Sequence, residues 1–397
     1  MTDTPLAGSA LFSRETDLHK LYRELRKEAP VRPVQLPGGA VGWLVTRHED
    51  VRKALADYRL SKGGMISPVG FAPISDAARD GLTQHMLTVD PPDHTRLRRL
   101  VTSAFTPRRI DDMQPRIQRI TDDLLDGFAD CAETDIIGDF AFPLALQVIC
   151  ELLGVPVSDR DRFRSWSNVI VAGAAAGDQL ADAMAAMLGY LTALIEDKRR
   201  APADDLISAL IDASDQEDRL TGDEVRSTLF LLLIAGQETT VNLIGNGVHL
   251  LLSHRETWEH LRAEPAALPG AIEEILRYES PVHLATYRVA IQDLLLGGQM
   301  IPAGSPVLVS VLSANRDDER FPDADRFDIT RNASGHVAFG HGIHYCLGAP
   351  LARLEAQTAI RTLQHRHPHL RLAASATPFD WRPSPLVHGL ASLPVVL

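Results

Sequence analysis

Three observations predict a mainly helical fold with a small β-rich margin, of the α+β class. Capped helical stretches fill the middle of the chain, strand-like runs sit toward its ends, and one central segment carries no polar face. The 397 residues exceed one average domain, yet no repeat, linker or low-complexity stretch divides them. A single domain over 1–397 is expected, with β-rich parts at about 31–47, 282–312 and 375–397.

Taken in order, Leu18 to Glu28, Glu49 to Asp57, Asp93 to Ala104 and Ile110 to Asp130 show helical spacing or caps. So do Ala181 to Lys198, Asp223 to Leu252 and Pro269 to Tyr278. Asp204-Asp205 and Asp223-Glu224 place acids where a helix begins, at the positive end of its dipole. Gly42 to Thr46, Tyr287 to Ala290, Val307 to Val311 and Leu386 to Val396 read as strands. From Thr228 to Ala235 every residue but the first is apolar, which predicts a helix buried on all sides in the middle of the molecule.

Composition excludes several classes. Apolar residues at 45% and charged residues at 23% fit a folded globular chain rather than a disordered one. A formal charge of −12 argues against nucleic acid or an acidic membrane surface as partner. Three scattered cysteines, Cys131, Cys150 and Cys346, cannot build a disulfide framework. The N-terminus lacks the basic start and apolar run of a signal peptide. The longest uncharged stretch that reads as apolar is Ser165 to Gly177, short of the ~20 residues that cross a bilayer. A cytoplasmic, monomeric protein is expected.

The most informative segment is Phe339-Gly340-His341-Gly342-Ile343-His344-Tyr345-Cys346-Leu347-Gly348, followed by the helical pattern of Ala349 to Ala356. Three glycines let this backbone turn tightly and approach a flat group, and a cysteine just before a helix favours the thiolate. Four uses compete for Cys346: a zinc ligand, a nucleophile with a histidine base, a buried structural residue, or an axial ligand to haem iron. Elsewhere, Ala235-Gly236-Gln237-Glu238-Thr239-Thr240 follows the apolar run and sets an acid beside a hydroxyl. Glu274 and Arg277 stand three apart on one helix face, and His94 and Arg98 four apart on another.

Phe339, Gly342, Cys346 and Gly348 have the spacing of the haem-binding loop of cytochrome P450 monooxygenases, and the chain resembles that family along essentially its whole length. The resemblance implies a single-domain P450-like fold, with haem b between the central helix and the cysteine loop and the Cys346 thiolate on iron. Phe339, Gly340 and Gly348 would shape the loop. Ala235 and Gly236 would form the oxygen-binding groove, with Thr239 and Glu238 delivering protons. His94, Arg98, Arg288 and His344 would hold the propionates. Glu274 and Arg277 would be structural, joined by Arg326 of Ala324-Asp325-Arg326-Phe327, a mild departure from the family's Pro-Glu-Arg-Phe wording.

By position, the substrate pocket would draw on the loop from Gly63 to His85, on Ile170, on Leu231, Ile234 and Ala235, on Leu284 and Ala285, and on Val387. These mostly aliphatic residues imply a fairly large apolar molecule. The resemblance points to polyketide, macrolide or polycyclic natural products. It also implies a ferredoxin and an NAD(P)H-dependent ferredoxin reductase as electron source, since the chain has no iron–sulfur or flavin motif of its own. Arg96, Arg99, Arg108, Arg109, Arg116 and Arg119 form a basic stretch, read either as a solvated face or as the docking patch for that partner. A haem-binding recruitment or sensor protein is the alternative, and a haem-free cysteine hydrolase a third class.

Overall fold

The structure is a computed structural model that describes all residues except 1–4, 12, 14–15, 37–38, 64–83, 129–130, 173–176, 215–219 and 385. Two compact units emerge. Unit one comprises Met1–Val69, Thr121–Ala141 and Thr239–Leu397, and unit two comprises Gly70–Ile120 and Phe142–Glu238.

The helices in chain order are α1 (Leu18–Glu28), α2 (His48–Ala56), α3 (Asp93–Ala104), α4 (Pro107–Asp111), α5 (Gln114–Asp126), α6 (Phe142–Leu153) and α7 (Arg160–Ala172). Then come α8 (Gln179–Arg200), α9 (Leu206–Ser214), α10 (Gly222–Ser253), α11 (Arg255–Ala263), α12 (Leu268–Tyr278), α13 (Val311–Ala314) and α14 (Ala349–Arg366). The strands are β1 (Leu6–Ala7), β2 (Val31–Gln35), β3 (Val41–Val45), β4 (Leu60–Ser61), β5 (Glu133–Asp135) and β6 (Arg288–Ala290). They continue with β7 (Leu294–Leu296), β8 (Gln299–Ile301), β9 (Pro306–Val309), β10 (Arg371–Leu372) and β11 (Pro394–Val396).

All the described strands lie in unit one. The main sheet runs β1-β2-β3-β9-β6-β4, with β2 antiparallel to β3 (Val31 opposite Val45) and β3 parallel to β9 (Leu44 opposite Leu308). Strand alternation sends successive side chains to opposite faces. Val31, Val45, Val307 and Val309 therefore pack with Val51, Ala54 and Leu55 of α2. Val34, Leu44 and Leu308 meet Tyr22 and Leu25 of α1 on the other side. The later part of α10 packs closely with α12 and α14: a methyl on Gly247 would lie 3.1 Å from Ile360 Cδ1 and 3.3 Å from Ile275 Cδ1.

Among its described residues, unit two holds helices joined by turns and no strand. Buried α6 forms its spine. Phe163 of α7 meets Tyr190 of α8 edge-on at 5.0 Å, and the Tyr190 hydroxyl donates to Asp159 at 2.7 Å.

Expected and observed elements differ in four places. The helix predicted over Ile110 to Asp130 is two helices, α4 and α5, because Pro115 opens the first turn of α5 and could not continue an earlier helix without clashing. The strand predicted over Leu386 to Val396 shrinks to β11, since this chain spends its bonds elsewhere: the His388 amide goes to the Pro281 carbonyl at 2.8 Å. Among the described residues, two helical spans exceed Ser165 to Gly177 in length and hydropathy. They are Ile136–Leu153 and Gly222–Ser253, and 78% and 72% of their apolar windows are buried inside the protein. Last, α10 is not buried on all sides. Leu231, Leu232, Ile234 and Gly236 are half-buried and Ala235 is exposed, so small and aliphatic residues form an open strip on an otherwise buried helix.

Candidate functional site

In unit one, the chain from Val337 to Gly348 is tied by its own backbone. The Gly340 amide donates to Val337 at 2.8 Å, Tyr345 to Gly342 at 3.0 Å, and Cys346 to Phe339 at 2.9 Å. Gly342 has φ +75°, and a Cβ there would sit 3.0 Å from the Leu55 carbonyl oxygen and 3.1 Å from Ala56 Cα. Only glycine passes so close to α2 in that conformation. Arg353 lies over the Phe339 ring at 4.5 Å and is itself clamped by Glu273, with Nε–Oε1 2.6 Å and Nη2–Oε2 2.8 Å. Burial alone would raise the Glu273 carboxyl, but the hydrogen bonds from Arg353 and His336 overcome it and lower its pKa to about 2. The loop carries Cys346 exposed, two residues before Gly348 caps α14. A Cβ built on Gly348 would lie 3.9 Å from Cys346 Sγ, which puts the sulfur beside the positive end of this 18-residue helix.

The buried cation Arg288 (3% exposed) extends from β6 and donates to the Thr286 carbonyl at 3.0 Å. Lys62, 7% exposed, donates to the same carbonyl at 2.8 Å. Two positive charges converge on one neutral oxygen, an arrangement that an anionic group stabilises. Lys62 was not among the residues expected here, and nothing in Arg59-Leu60-Ser61-Lys62-Gly63 distinguishes it from a surface lysine. His344 is half-buried in the cysteine loop of the same unit.

In unit two, His94 is buried on α3 and Arg98 follows one turn later, half-buried. Burial, with help from the Arg98 charge, lowers the His94 pKa, leaving the ring neutral at pH 7. On α10, Gly236 faces Ile149 of α6 (3.4 Å to a built Cβ), and Glu238 is buried. Thr239, half-buried, is the next residue along the helix. Gln237 is wholly buried, and neither of its amide atoms finds a hydrogen-bond partner among the described residues.

The Glu274–Arg277 pair is buried completely and is bidentate, Nε–Oε2 2.7 Å and Nη2–Oε1 2.8 Å. Arg277 also donates to the carbonyls of Asn315 and Ala324 at 2.9 Å and of Arg326 at 3.3 Å. The third partner is not the one expected. The Arg326 side chain points outward, 71% exposed and 3.5 Å from Asp328, so that only its backbone joins the cluster. Arg331 stands beside the acid instead, 3.4 Å from Glu274 Oε1. The irregular chain between Phe321 and Arg331 turns residue 326 away, and no periodicity in the sequence announces it.

The basic stretch is also quieter than its composition. Arg96 pairs with Glu224, Arg108 with Asp112 (3.9 Å) and Arg109 with Asp204 (3.3 Å). Arg116 and Arg119 both lie near Glu151, at 3.9 and 3.4 Å. Five of these six arginines therefore meet carboxylates of their own unit.

Of the pocket residues, Ile170 is buried on α7 and Ala285 half-buried. Leu284, 2% exposed, belongs to the core with Tyr22, Leu44 and Leu308. Val387 lines a 320 Å³ cavity with His19, Trp381 and His388. His85 is buried, and burial lowers its pKa to about 4. Of the loop expected to form the pocket entrance, residues 64–83 lie outside the described residues.

The family model for cytochrome P450 matches residues 2–168 and 166–368. The chain is a cytochrome P450. It is 52% identical over 385 residues to cytochrome P450 107B1 of Saccharopolyspora erythraea, covering 96% of this chain and 95% of that one. It is 41% identical to the mycinamicin IV hydroxylase/epoxidase of Micromonospora griseorubida, over 96% of this chain and 97% of that one. Among solved structures, the tirandamycin C-bound P450 monooxygenase TamI superposes with a TM-score of 0.88 at 46% identity, covering 99% of this chain and all of that one. P450s are oxygen-inserting oxidoreductases that hold haem through a cysteine thiolate. The residues of this P450 fit that group: an exposed cysteine on a glycine loop before a helix, and buried cations suited to carboxylates.

Proposed function

We propose that this P450 inserts one oxygen atom from O2 into a C–H or C=C bond of a fairly large apolar natural product of the polyketide, macrolide or polycyclic kind. Cys346 is the thiolate ligand. The observation that carries this is its exposed position on the backbone-tied loop at the start of α14. When bound, haem supplies the one-electron and oxygen chemistry.

The chain's own groups do the rest. Arg288 and Arg98, with Lys62 added, neutralise the two propionates, and the His94 and His344 rings hold them by donating hydrogen bonds. The helix-start amides near Cys346 keep its sulfur anionic. Glu238, buried on α10, relays protons, and the Thr239 hydroxyl passes them on. The half-buried Leu231, Ile234 and Ala235 offer an aliphatic surface to substrate. Relatives named for mycinamicin IV and tirandamycin C support the substrate class. The electrons come from a ferredoxin and its reductase in the cytoplasm. Arg108 and Arg119, still largely exposed beside their carboxylates, keep the basic stretch available as the docking patch.

The test is optical. Purified protein, reduced and exposed to carbon monoxide, should give the strongly red-shifted Soret band of a thiolate ligand, and Cys346→His should move it to the shorter wavelength of histidine-bound haem. An unchanged band in that variant would sink the ligand assignment. With a surrogate ferredoxin system, Thr239→Ala should keep substrate binding but divert reduced oxygen to peroxide; unaltered coupling would remove Thr239 from the proton path.

A further inference from the structure

The cluster of His19, Glu279 and His388 has no role in the chemistry above, although Val387 shares its cavity. Its members come from three separate places in unit one: the second residue of α1, the residue that ends α12, and the C-terminal segment before β11. Both imidazoles aim at one oxygen. His19 Nε2 is 2.7 Å and His388 Nε2 2.6 Å from Glu279 Oε1, and the three ligand atoms all lie within 4.8 Å of one another. Glu279 Oε2 is occupied separately, by Arg316 at 3.3 Å.

Each member is held from behind. His388 is stacked on Trp381 at 4.3 Å with the rings 6° from parallel, and its backbone amide is bound to Pro281. Asp17 caps α1 by accepting from the Lys20 amide at 3.0 Å, which fixes the turn carrying His19. His19 Nδ1 is buried and finds no hydrogen-bond partner among the described residues, so it does not dictate which nitrogen carries the proton. A 320 Å³ cavity lined by His19, His388, Asp17, Ser13, Thr16 and Trp381 reaches the cluster. It has room for water, and Asp17 adds a second carboxylate to its wall.

We propose that His19, Glu279 and His388 bind one divalent transition-metal ion of the zinc type, with water from the adjoining cavity completing the coordination. Two imidazoles, one carboxylate and one water form a donor set that suits zinc, at ~2.0–2.2 Å from each protein ligand. Donor atoms around a tetrahedral ion of this kind lie about 3.3 Å apart, so each nitrogen–oxygen pair, now at 2.6–2.7 Å, must open by about 0.7 Å to admit it. Each imidazole binds through Nε2, with its ring proton on Nδ1. The Arg316 charge opposes the ion, and the Asp325 carboxylate 3.2 Å from that guanidinium offsets part of it. The ion joins α1, the end of α12 and the C-terminal segment, and acts on the stability of unit one.

The experiment uses the haem-loaded protein stripped with chelator and titrated with zinc chloride at pH 7.5. Expected are one zinc per chain by calorimetry, a higher Tm with zinc than without, and an anomalous peak among these three residues in zinc-soaked crystals. His388→Gln should weaken binding at least tenfold. His19→Gln, on the half-buried α1, should do the same while its amide still donates to Glu279 and preserves the fold. No saturable binding in the parent, an affinity unchanged in His19→Gln, or an anomalous peak elsewhere would each overturn the site and leave a hydrogen-bonded clamp. The Soret band reads Cys346 separately, so either proposal can fail without the other.

Discussion

Glu274 and Glu279 lie five residues apart at the end of the same helix, both buried, and they are held in opposite ways. Glu274 is closed in by a bidentate guanidinium, a backbone amide from Asp328 and the nearby Arg331. Glu279 is held by two imidazoles and one arginine beside a cavity. A guanidinium is always charged and planar, so it makes a permanent lock. An imidazole can lose its proton to its other nitrogen or to solvent and then accept an ion. The difference teaches that burial alone does not make a carboxylate structural; the chemistry of its partners decides.

The comparison can be broken most forcefully at the lock. Arg277→Met leaves the Glu274 carboxylate buried and uncompensated, and should cost about 3–5 kcal/mol in denaturant unfolding. Arg277→Lys should recover little of it, because an ammonium cannot make both bonds. Glu279→Gln should cost less, about 1.5–3 kcal/mol, since it removes charge-assisted bonds without stranding an unpaired carboxylate. If Glu279→Gln proves the more damaging, the ranking of the two sites is reversed.

Arg331→Gln should cost about 1–2 kcal/mol, while Arg326→Gln stays within about 0.5 kcal/mol of the parent, as befits an exposed side chain. Equal losses would restore residue 326 to the cluster. The smallest effect belongs to Glu273, whose pKa is lowered to about 2 by Arg353 and His336 against the opposing effect of burial. A depressed carboxylate stabilises the fold above its unfolded pKa of about 4.3 and loses that contribution as pH falls toward the folded value. Glu273→Gln should therefore cost less than about 1 kcal/mol at pH 7, because the pair is part-exposed and screened. Its deficit against the parent should shrink below about pH 4.3. A deficit that grows on acidification would assign the stability to other groups.

Where physical signals are local, the sequence speaks clearly. Helices α1 and α3 begin and end where Asp17 and Asp93 and the apolar spacing place them. The cysteine loop shows itself through three glycines and one sulfur. Helix α6 is hard to read because its polar edge is reduced to Gln147 and Glu151, four apart, within a run otherwise buried and apolar. Arg331, which stands beside Glu274 where Arg326 is expected, carries no sequence signal, because irregular chain has no period to follow. His19, Glu279 and His388 could not be linked at all, with separations of 260 and 109 residues and no shared pattern.

One contact of the lock has a further meaning for the chain's history. Arg277 grips the segment after α13 through the carbonyl oxygens of Asn315, Ala324 and Arg326, a feature that every amino acid possesses. At 324 and 326 the grip follows the path of the main chain rather than the side chains, while at 315 the asparagine amide is also engaged, by Ser280 and Val337. Position 326, exposed, can thus vary while the grip persists, whereas wholly buried Ala324 is limited to a small side chain and offers the same carbonyl as the family's usual proline.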